Sequence, residues 1–174
     1  TSYYHSLALL NDGTVKSWGF NSNGQLGDNS TTQRLTPVTV SNINNAIAIS
    51  AGDYFSLALL SDGTIKSWGL NSTGQLGNDS LINSNVPVTV TGIDNAIAIS
   101  AGYNHTLALL SDGTIKSWGL NANGQLGDNS TTRRLTPVTV SGINNAIAID
   151  TGNSFSLALL SDGTVKSWGI NTYG

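Results

Sequence analysis

Short apolar runs of about five residues recur along the chain and are separated by polar clusters rich in Gly, Asn and Asp. In one well-defined stretch the runs cover residues 56–60, 64–68, 87–90 and 96–99. This length is typical of β-strands. Asp62 and Gly63 stand between the first two runs, and an Asp-Gly pair indicates a tight hairpin because Gly accepts a positive φ without steric cost. The pattern predicts an all-β protein.

The alternation within one run distinguishes it from a strand with one solvated face. Ala96, Ile97, Ala98 and Ile99 place small residues on one face and large residues on the other, and both faces are apolar. A sheet exposed on one side would carry polar residues on that side. We therefore expect this strand to be buried on both faces, with a close neighbour on the Ala face, as near the axis of radially stacked sheets.

The whole pattern repeats every fifty residues without an insertion. Trp18, Trp68, Trp118 and Trp168 mark the same place in successive copies. A fixed period of this length indicates a repeat architecture. We divide the single segment 1–174 into repeat units 1–50, 51–100, 101–150 and a partial unit 151–174.

A Gly-rich loop follows each Trp-containing run. In the first copy it contains Gly19, Gly24 and Gly27, and Leu26 is expected to enter the core. A Gly-rich loop can bind phosphate at a helix N-terminus. No helix follows this loop and no lysine lies in it, so a structural role is favoured.

The longest connections, 28–36, 78–86 and 128–136, differ most between copies. Binding residues occur disproportionately on such surface loops. Our candidate partner-binding residues are Asn29, Thr32, Arg34, Leu81, Asn83, Asn129, Arg133 and Arg134.

Composition narrows the function classes. Charged residues make up 10% of the chain, against roughly 25% in a typical soluble domain. The net charge is −3, and no basic stripe of the kind that nucleic-acid binders carry is visible. There is no cysteine, and no apolar stretch is long enough to span a membrane. These features argue against binding of nucleic acid and against insertion into a membrane. The lack of cysteine excludes metal sites with thiolate ligands.

The residues that could carry chemistry have simpler structural interpretations. His5 and His105 occupy equivalent positions, but Phe55 stands at the intervening one, which favours a packed or hydrogen-bonded histidine over a metal ligand. Asp12 and its equivalents in the other three copies each precede a Gly, which is typical of turn residues. Asp28 lies in an oxygen-rich segment that lacks the carboxylate number and spacing of a calcium loop. No catalytic, cofactor or metal residue is predicted.

Four motifs at fixed spacing carry a family resemblance. Residues 5–9 read His-Ser-Leu-Ala-Leu, residues 12–15 read Asp-Gly-Thr-Val, Trp18 precedes Gly19, and residues 24–27 read Gly-Gln-Leu-Gly. Together they resemble the regulator of chromosome condensation repeat family, in a bacterial-type form. Phe55 and Phe155 depart from the pattern by replacing its histidine.

The resemblance implies a β-propeller, usually of seven blades with four strands each. Fourteen strands are expected in this chain, which corresponds to about three and a half blades of an incomplete ring. Open sheet edges are unfavourable in water. We therefore expect a longer parent protein or completion of the ring by another chain.

The function implied is a non-enzymatic module that binds a protein or builds a cell-surface structure. One alternative is guanine-nucleotide exchange or another GTPase or chromatin regulator, since the family includes such proteins. A second is a self-assembling propeller that an oligomer completes. The low charge and the abundance of Asn, Ser and Thr favour an extracellular or cell-surface location in a bacterium, with the cytoplasm as the alternative.

Overall fold

A computed structural model describes residues 3–172 of the chain, which form fourteen β-strands and no helix. The strands are β1 (His5–Leu9), β2 (Val15–Gly19), β3 (Arg34–Thr39), β4 (Ala46–Ala51), β5 (Phe55–Leu60), β6 (Ile65–Gly69), β7 (Ser84–Thr89), β8 (Ala96–Ala101), β9 (His105–Leu110), β10 (Ile115–Gly119), β11 (Arg134–Thr139), β12 (Ala146–Thr151), β13 (Phe155–Leu160) and β14 (Val165–Gly169).

The strands form four antiparallel sheets, which we call blades 1 to 4. Blade 1 has the order β1-β2-β3, blade 2 the order β4-β5-β6-β7, blade 3 the order β8-β9-β10-β11, and blade 4 the order β12-β13-β14. The predicted all-β incomplete propeller is confirmed. The last strand of each fifty-residue unit pairs with the first strand of the next unit, so Ile49 lies opposite Ala58. The fourteen strands thus belong to four sheets rather than to three complete blades and half of another.

The predicted strands agree with the observed ones apart from their ends. The Pro-Val strand of blade 2 starts at Ser84, three residues before the predicted start. A register shift between Ser67 and Gly69 lies where this outer strand pairs with β6. Such an irregularity bends a strand locally, which the apolar pattern of the outer strand does not show.

Blades stack face to face, and the core lies between them. β4 contacts β8, and β8 contacts β12, which places these Ala-Ile strands innermost. Between blades 2 and 3, Phe55, Leu57 and Ile65 of blade 2 join a buried cluster with Ala108 and Trp118 of blade 3. Equivalent clusters lie between the other neighbouring blades. Each internal interface therefore repeats the same packing.

The prediction for the Ala-Ile strand is only half right. Ala46, Ala96 and Ala146 are buried, whereas Ile47 and Ile97 are 55% and 56% exposed. The strand is innermost, so the exposed Ile47 and Ile97 face the axis, which the four described blades surround from one side. Ile49 and Ile99 instead pack against the buried clusters. The strands that are buried on both faces are β5 and β9, where every residue is buried.

The Gly-rich loop of each blade contacts the next blade. Leu26, Leu76 and Leu126 are fully buried, as predicted. The indole of Trp118 donates a hydrogen bond of 3.0 Å to the carbonyl oxygen of Gln75. Gly77 has φ +65°, and a Cβ there would lie 2.7 Å from the Trp118 indole nitrogen. Gly is required both by this backbone conformation and by the close approach of the indole.

Candidate functional site

The register of the strands sorts the connections into two groups. His5 lies opposite Gly19, and Gly19 lies opposite Arg34, at one end of blade 1. This end, which we call the loop end, carries the long loops 20–33, 70–83 and 120–133. It also carries the axial turns 52–54, 102–104 and 152–154, which follow the innermost strands. The opposite end, the turn end, carries the Asp-Gly hairpins.

Most differences between the copies lie at the loop end. The motifs Leu-Ala-Leu, Asp-Gly-Thr and Lys-Ser-Trp-Gly are identical in all four copies. The third position of the copies, in contrast, is occupied by Tyr3, Asp53, Tyr103 and Asn153. The eight candidate partner-binding residues lie in or beside the long loops, and one of them, Asn129, reaches back to the Ser141 hydroxyl at the turn end. The residues shared by the copies therefore lie mainly in the strands and hairpins, and most of the differences between copies lie on one rim.

Asn21 organises the long loop of blade 1 from inside. Its side-chain amide donates to the carbonyl oxygens of Ser30 at 3.1 Å and Thr32 at 3.0 Å, while its Oδ1 accepts from the Leu26 amide at 2.9 Å. Asn121 makes the same set of bonds in blade 3. A buried side chain that satisfies several backbone groups fixes the loop path. Thr32 is thus held through its backbone.

An ion pair completes this loop in two of the copies. Arg34 contacts the carboxylate of Asp28 at 2.7 Å, and Arg134 contacts Asp128 at the same distance. Burial opposes ionisation of Asp28, but hydrogen bonds from Ser30 and Arg34 outweigh it and hold the pKa of Asp28 below its usual range. These donors occupy the oxygen atoms that a calcium ion would need. The two arginines are therefore parts of the loop framework.

The second copy lacks both charges of this pair. Asn78 replaces the aspartate and Ser84 replaces the arginine. Asn83 supplies a different link, because its Oδ1 accepts from the Asn71 amide at 2.8 Å and its amide donates to Asn23 Oδ1 at 3.2 Å in the neighbouring blade. Among the candidate residues, Asn83 therefore joins two loops of the rim.

Asn29 and Asn129 sit at a backbone corner. Their φ values are 61° and 60°, in the left-handed region that Asn tolerates better than most residues. The Asn29 amide donates to the Asn85 carbonyl oxygen at 3.0 Å, which joins blade 1 to blade 2. The two remaining candidates, Leu81 and Arg133, expose their side chains on the rim.

The sequence interpretation missed an aromatic cluster beside the axis. Tyr4 stacks on Tyr54 with ring centroids 4.5 Å apart, and Phe20 lies 6.1 Å from Tyr4. Tyr3 joins the edge of the cluster and is 89% exposed. The signal available in the sequence was the difference between copies at their third and fourth positions. The strand pattern does not show that these positions meet across blades.

The histidines are structural, as predicted. His5 is buried, and its Nε2 shares a hydrogen bond of 2.7 Å with the Ser56 hydroxyl of the next blade. His105 and Ser156 are joined in the same way at 3.1 Å. Burial lowers the pKa of both histidines to about 4. They are therefore neutral at physiological pH.

The Asp-Gly aspartates are turn residues, as predicted. Asp12 Oδ1 accepts hydrogen bonds from the Thr14 hydroxyl at 2.7 Å and the Thr14 amide at 3.0 Å. These bonds hold the pKa of Asp12 below its usual range. Asp62, Asp112 and Asp162 make the same pair of bonds. Each carboxylate is used to close its own hairpin.

Three cavities lie at the surface. One of about 730 Å³ borders Trp168 and Lys166 beside the outer edge of blade 4, and one of about 790 Å³ lies on the open face of that blade around Phe155. The third, of about 440 Å³, lies at the axis of the loop end between the axial turns. The first two border the three-stranded blade 4. The third is bounded by complete turns, and we call it the axial recess.

Within residues 3–172, no group of three or more His, Cys, Asp or Glu side chains is placed to hold a metal ion. The same residues contain no helix that could cross a membrane.

The chain matches known sequences and structures over nearly all its length. The model of the regulator of chromosome condensation (RCC1) repeat matches residues 12–59, 62–109 and 112–159, and a second model of the same repeat matches 46–75, 96–125 and 146–174.

Solved structures agree with this match. A chain of the complex of Kap60 with yeast RCC1 (Prp20) is 25% identical with a TM-score of 0.84, over 97% of this chain and 42% of that one. Prp20p of Saccharomyces cerevisiae, described with its binding to Gsp1p and histones, is 26% identical with a TM-score of 0.84. The match covers 97% of this chain and 44% of Prp20p. Human WBSCR16, 24% identical with a TM-score of 0.87 over 97% and 45%, shows the same fold.

The chain spans less than half the length of these solved proteins. The repeat matches nonetheless extend across every blade. On this evidence the chain belongs to the regulator of chromosome condensation repeat family.

Proposed function

We propose that the chain is a non-enzymatic binding module that contacts a protein partner through its loop end. The observation that carries this proposal is the distribution of differences between the copies, because most of the residues in the inner strands and hairpins are identical and most differences lie on one rim. Selection for folding alone would act equally on both ends of a blade. Exposed loops held on a rigid sheet framework are the usual place for recognition.

The rim has the chemistry of a protein interface. Tyr4 and Tyr103 are 45% and 38% exposed, and Leu81 is 41% exposed. Arg133 adds a charged side chain that is exposed on the same rim. Tyr and Arg are enriched at protein interfaces. The low charge and the many Asn, Ser and Thr residues support placing the module outside a bacterial cell or on its surface.

Paired variants test which end of the blades binds. Arg133→Gln introduces the residue of the first copy at the loop end, and Asp94→Asn introduces the residue of the first and third copies at the turn end. Both substitutions remove one charge and use a side chain that the fold already accepts. We expect a partner identified by cross-linking and mass spectrometry to bind Arg133→Gln more weakly and Asp94→Asn unchanged. Loss of binding only in Asp94→Asn would contradict the proposal.

Regulation of a small GTPase or of chromatin is a second candidate. It is favoured by the 26% identity to Prp20p, a protein described with its binding to Gsp1p and histones. The test is the rate at which a Gsp1p-type GTPase releases a fluorescent guanine nucleotide. Acceleration by the chain supports exchange activity, and an unchanged rate together with no binding to histones removes this candidate.

Association with a further blade is a third candidate, favoured by the open face of blade 4. Phe155, Leu159 and Val165 are 38%, 36% and 63% exposed there, while their equivalents in blade 2 are fully buried. The blade that covers this face could come from a second copy or from more of the same polypeptide. Light scattering tests the first case, in which Val165→Asp would abolish concentration-dependent assembly. A monomer at every concentration contradicts self-assembly.

A further inference from the structure

The axial recess has an unusual lining for the end of a repeat framework. Its small lining residues are the last residues of the three innermost strands and the glycines that follow them, namely Ala51, Gly52, Ala101, Gly102, Thr151 and Gly152. Its larger side chains are Tyr3, Asp53, Tyr103 and Asn153, which all occupy the third position of their copies. The larger side chains of the recess therefore come from a position that varies between the copies.

Tyr3 and Tyr103 are the aromatic residues that line this recess, and Tyr3 connects it to the aromatic cluster of blades 1 and 2. Tyr3 lies 6.4 Å from Tyr4 between ring centroids, and Tyr4 stacks on Tyr54. The hydrogen bond with Tyr4, partial burial and the nearby Tyr103 and Asp53 raise the pKa of Tyr54 to about 12. The Tyr54 phenol thus stays neutral. The faces of aromatic rings attract cations.

The recess contains a carboxylate but no cation. Within residues 3–172, Asp53 forms no ion pair, and the ion-paired arginines Arg34 and Arg134 are engaged with their own loop aspartates. Lys16 bonds Thr39 at the other end of blade 1. Partial burial raises the pKa of Asp53. A carboxylate without a counter-charge in a partly desolvated, aromatic setting favours binding of a cation.

We propose that the axial recess binds a lysine or arginine side chain of a basic protein segment. The carboxylate of Asp53 forms the ion pair, and the exposed rings of Tyr3 and Tyr103 pack against the aliphatic part and the charged head. Complementary charge sets orientation and partner choice at such interfaces. This inference rests on the proposed function, because it names the class of partner that the loop end recognises.

Peptide binding to the 174-residue chain tests the proposal. The probes are three fluorescein-labelled twelve-residue peptides of Gly and Ser with four Lys, four Glu or four Gln residues, and a neutral oligosaccharide serves as a further ligand. The variants are Asp53→Asn and Tyr103→Asn, which introduce the residue that the fourth copy carries at this position. The control is Asp79→Asn, an exposed loop-end change of the same charge that introduces the residue of the first and third copies.

We expect the Lys peptide alone to raise the fluorescence anisotropy at micromolar protein. Asp53→Asn and Tyr103→Asn each weaken its affinity about two- to fivefold, the range expected for loss of a partly exposed ion pair or a cation–π contact. Asp79→Asn changes it less than about twofold, and added salt weakens binding. Equal binding of the Lys and Glu peptides, binding of the oligosaccharide that Asp53→Asn leaves intact, or no binding of the Lys peptide overturns the proposal.

Failure here is distinguishable from failure of the proposed function. A partner whose binding depends on Arg133 but not on Asp53 or Tyr103 refutes the axial recess and leaves the loop end as the binding surface. A partner that depends on none of these residues and on the turn end instead refutes both.

Discussion

The indole nitrogen of Trp68 in blade 2 donates a hydrogen bond of 2.9 Å to the carbonyl oxygen of Gln25 in blade 1. Trp168 and Gln125 are joined in the same way at 2.9 Å. These bonds are buried or partly buried between neighbouring sheets, so they fix the spacing and orientation of the blades. Removing one takes away a hydrogen bond between blades and leaves the carbonyl oxygen with one remaining donor, the Ser56 hydroxyl at Gln25 and the Ser156 hydroxyl at Gln125.

The substitution Trp68→Phe is expected to lower the free energy of unfolding by about 1–3 kcal/mol, since it removes the buried donor and part of the packed ring. Circular dichroism during urea denaturation measures this change. Trp18→Phe is the matched control, because Trp18 occupies the same register position but is only half-buried on the open face of blade 1. Equal losses in both variants would contradict a role for the interface between blades.

Stability is expected to fall as the pH drops from neutrality. The pKa of both His5 and His105 is about 4 in the folded chain and about 6.5 in an unfolded one. The unfolded state therefore binds more protons between these values, so the stabilisation is complete above pH 6.5 and is lost as the pH falls towards 4. Between pH 7 and pH 5 the loss is about 2 kcal/mol for each histidine, measured by denaturation at each pH.

The chain contains its own control for this effect. Between blades 2 and 3, Phe55 and Thr106 replace the His-Ser pair of the other two interfaces. His105→Phe combined with Ser156→Thr copies that pair and is expected to remove about half of the loss in stability between pH 7 and pH 5. An unchanged pH profile would show that other groups cause the acid sensitivity.

We expect stability to be retained when both residues of the ion pair in the long loop are replaced together, but not when one is replaced alone. Asp128→Asn alone lowers the free energy of unfolding by about 1–3 kcal/mol because Arg134 loses its charged partner. The double variant with Arg134→Ser introduces the combination that the second copy carries at Asn78 and Ser84, and at least half of the loss is recovered. A double-mutant cycle measures the coupling, and strictly additive losses would contradict it.

Two glycines with similar positive φ values allow the cost of backbone strain to be distinguished from the cost of a steric clash with a neighbouring side chain. Gly92 has φ +70° with no atom within 4 Å of a Cβ, whereas Gly77 has φ +65° with the Trp118 indole at 2.7 Å. Gly92→Ala is expected to cost about 1–2 kcal/mol, the ordinary penalty of the left-handed region. Gly77→Ala is expected to cost at least twice as much in thermal unfolding. Equal costs would show that the indole moves aside freely.

Much of the fold could be predicted from single residues and their spacing. The positions of the strands follow from five-residue apolar runs, and the hairpins follow from Asp12-Gly13 and its equivalents. The burial of Leu26 follows from its place between two glycines. These features are local, because strand pairing across a hairpin and turn geometry depend on residues that are close in the chain.

The candidate site could be predicted only in part. The long loops were singled out because they differ between copies, and the eight candidate residues lie in or beside them. Their roles were not visible, since Arg34 is engaged by Asp28 and Asn83 by Asn23. The axial cluster was missed because Tyr4 and Tyr54 are fifty residues apart and meet only when two blades stack.

The sequence by itself determined the all-β class, the fifty-residue unit, the turns and the family. The tertiary structure decided which strands share a sheet, that Ile47 faces the axis, and that His5 reaches Ser56 in the next blade. The reason is physical. Local propensity and periodicity fix what each segment becomes, but the stacking of sheets brings together residues whose separation in the chain carries no local signal.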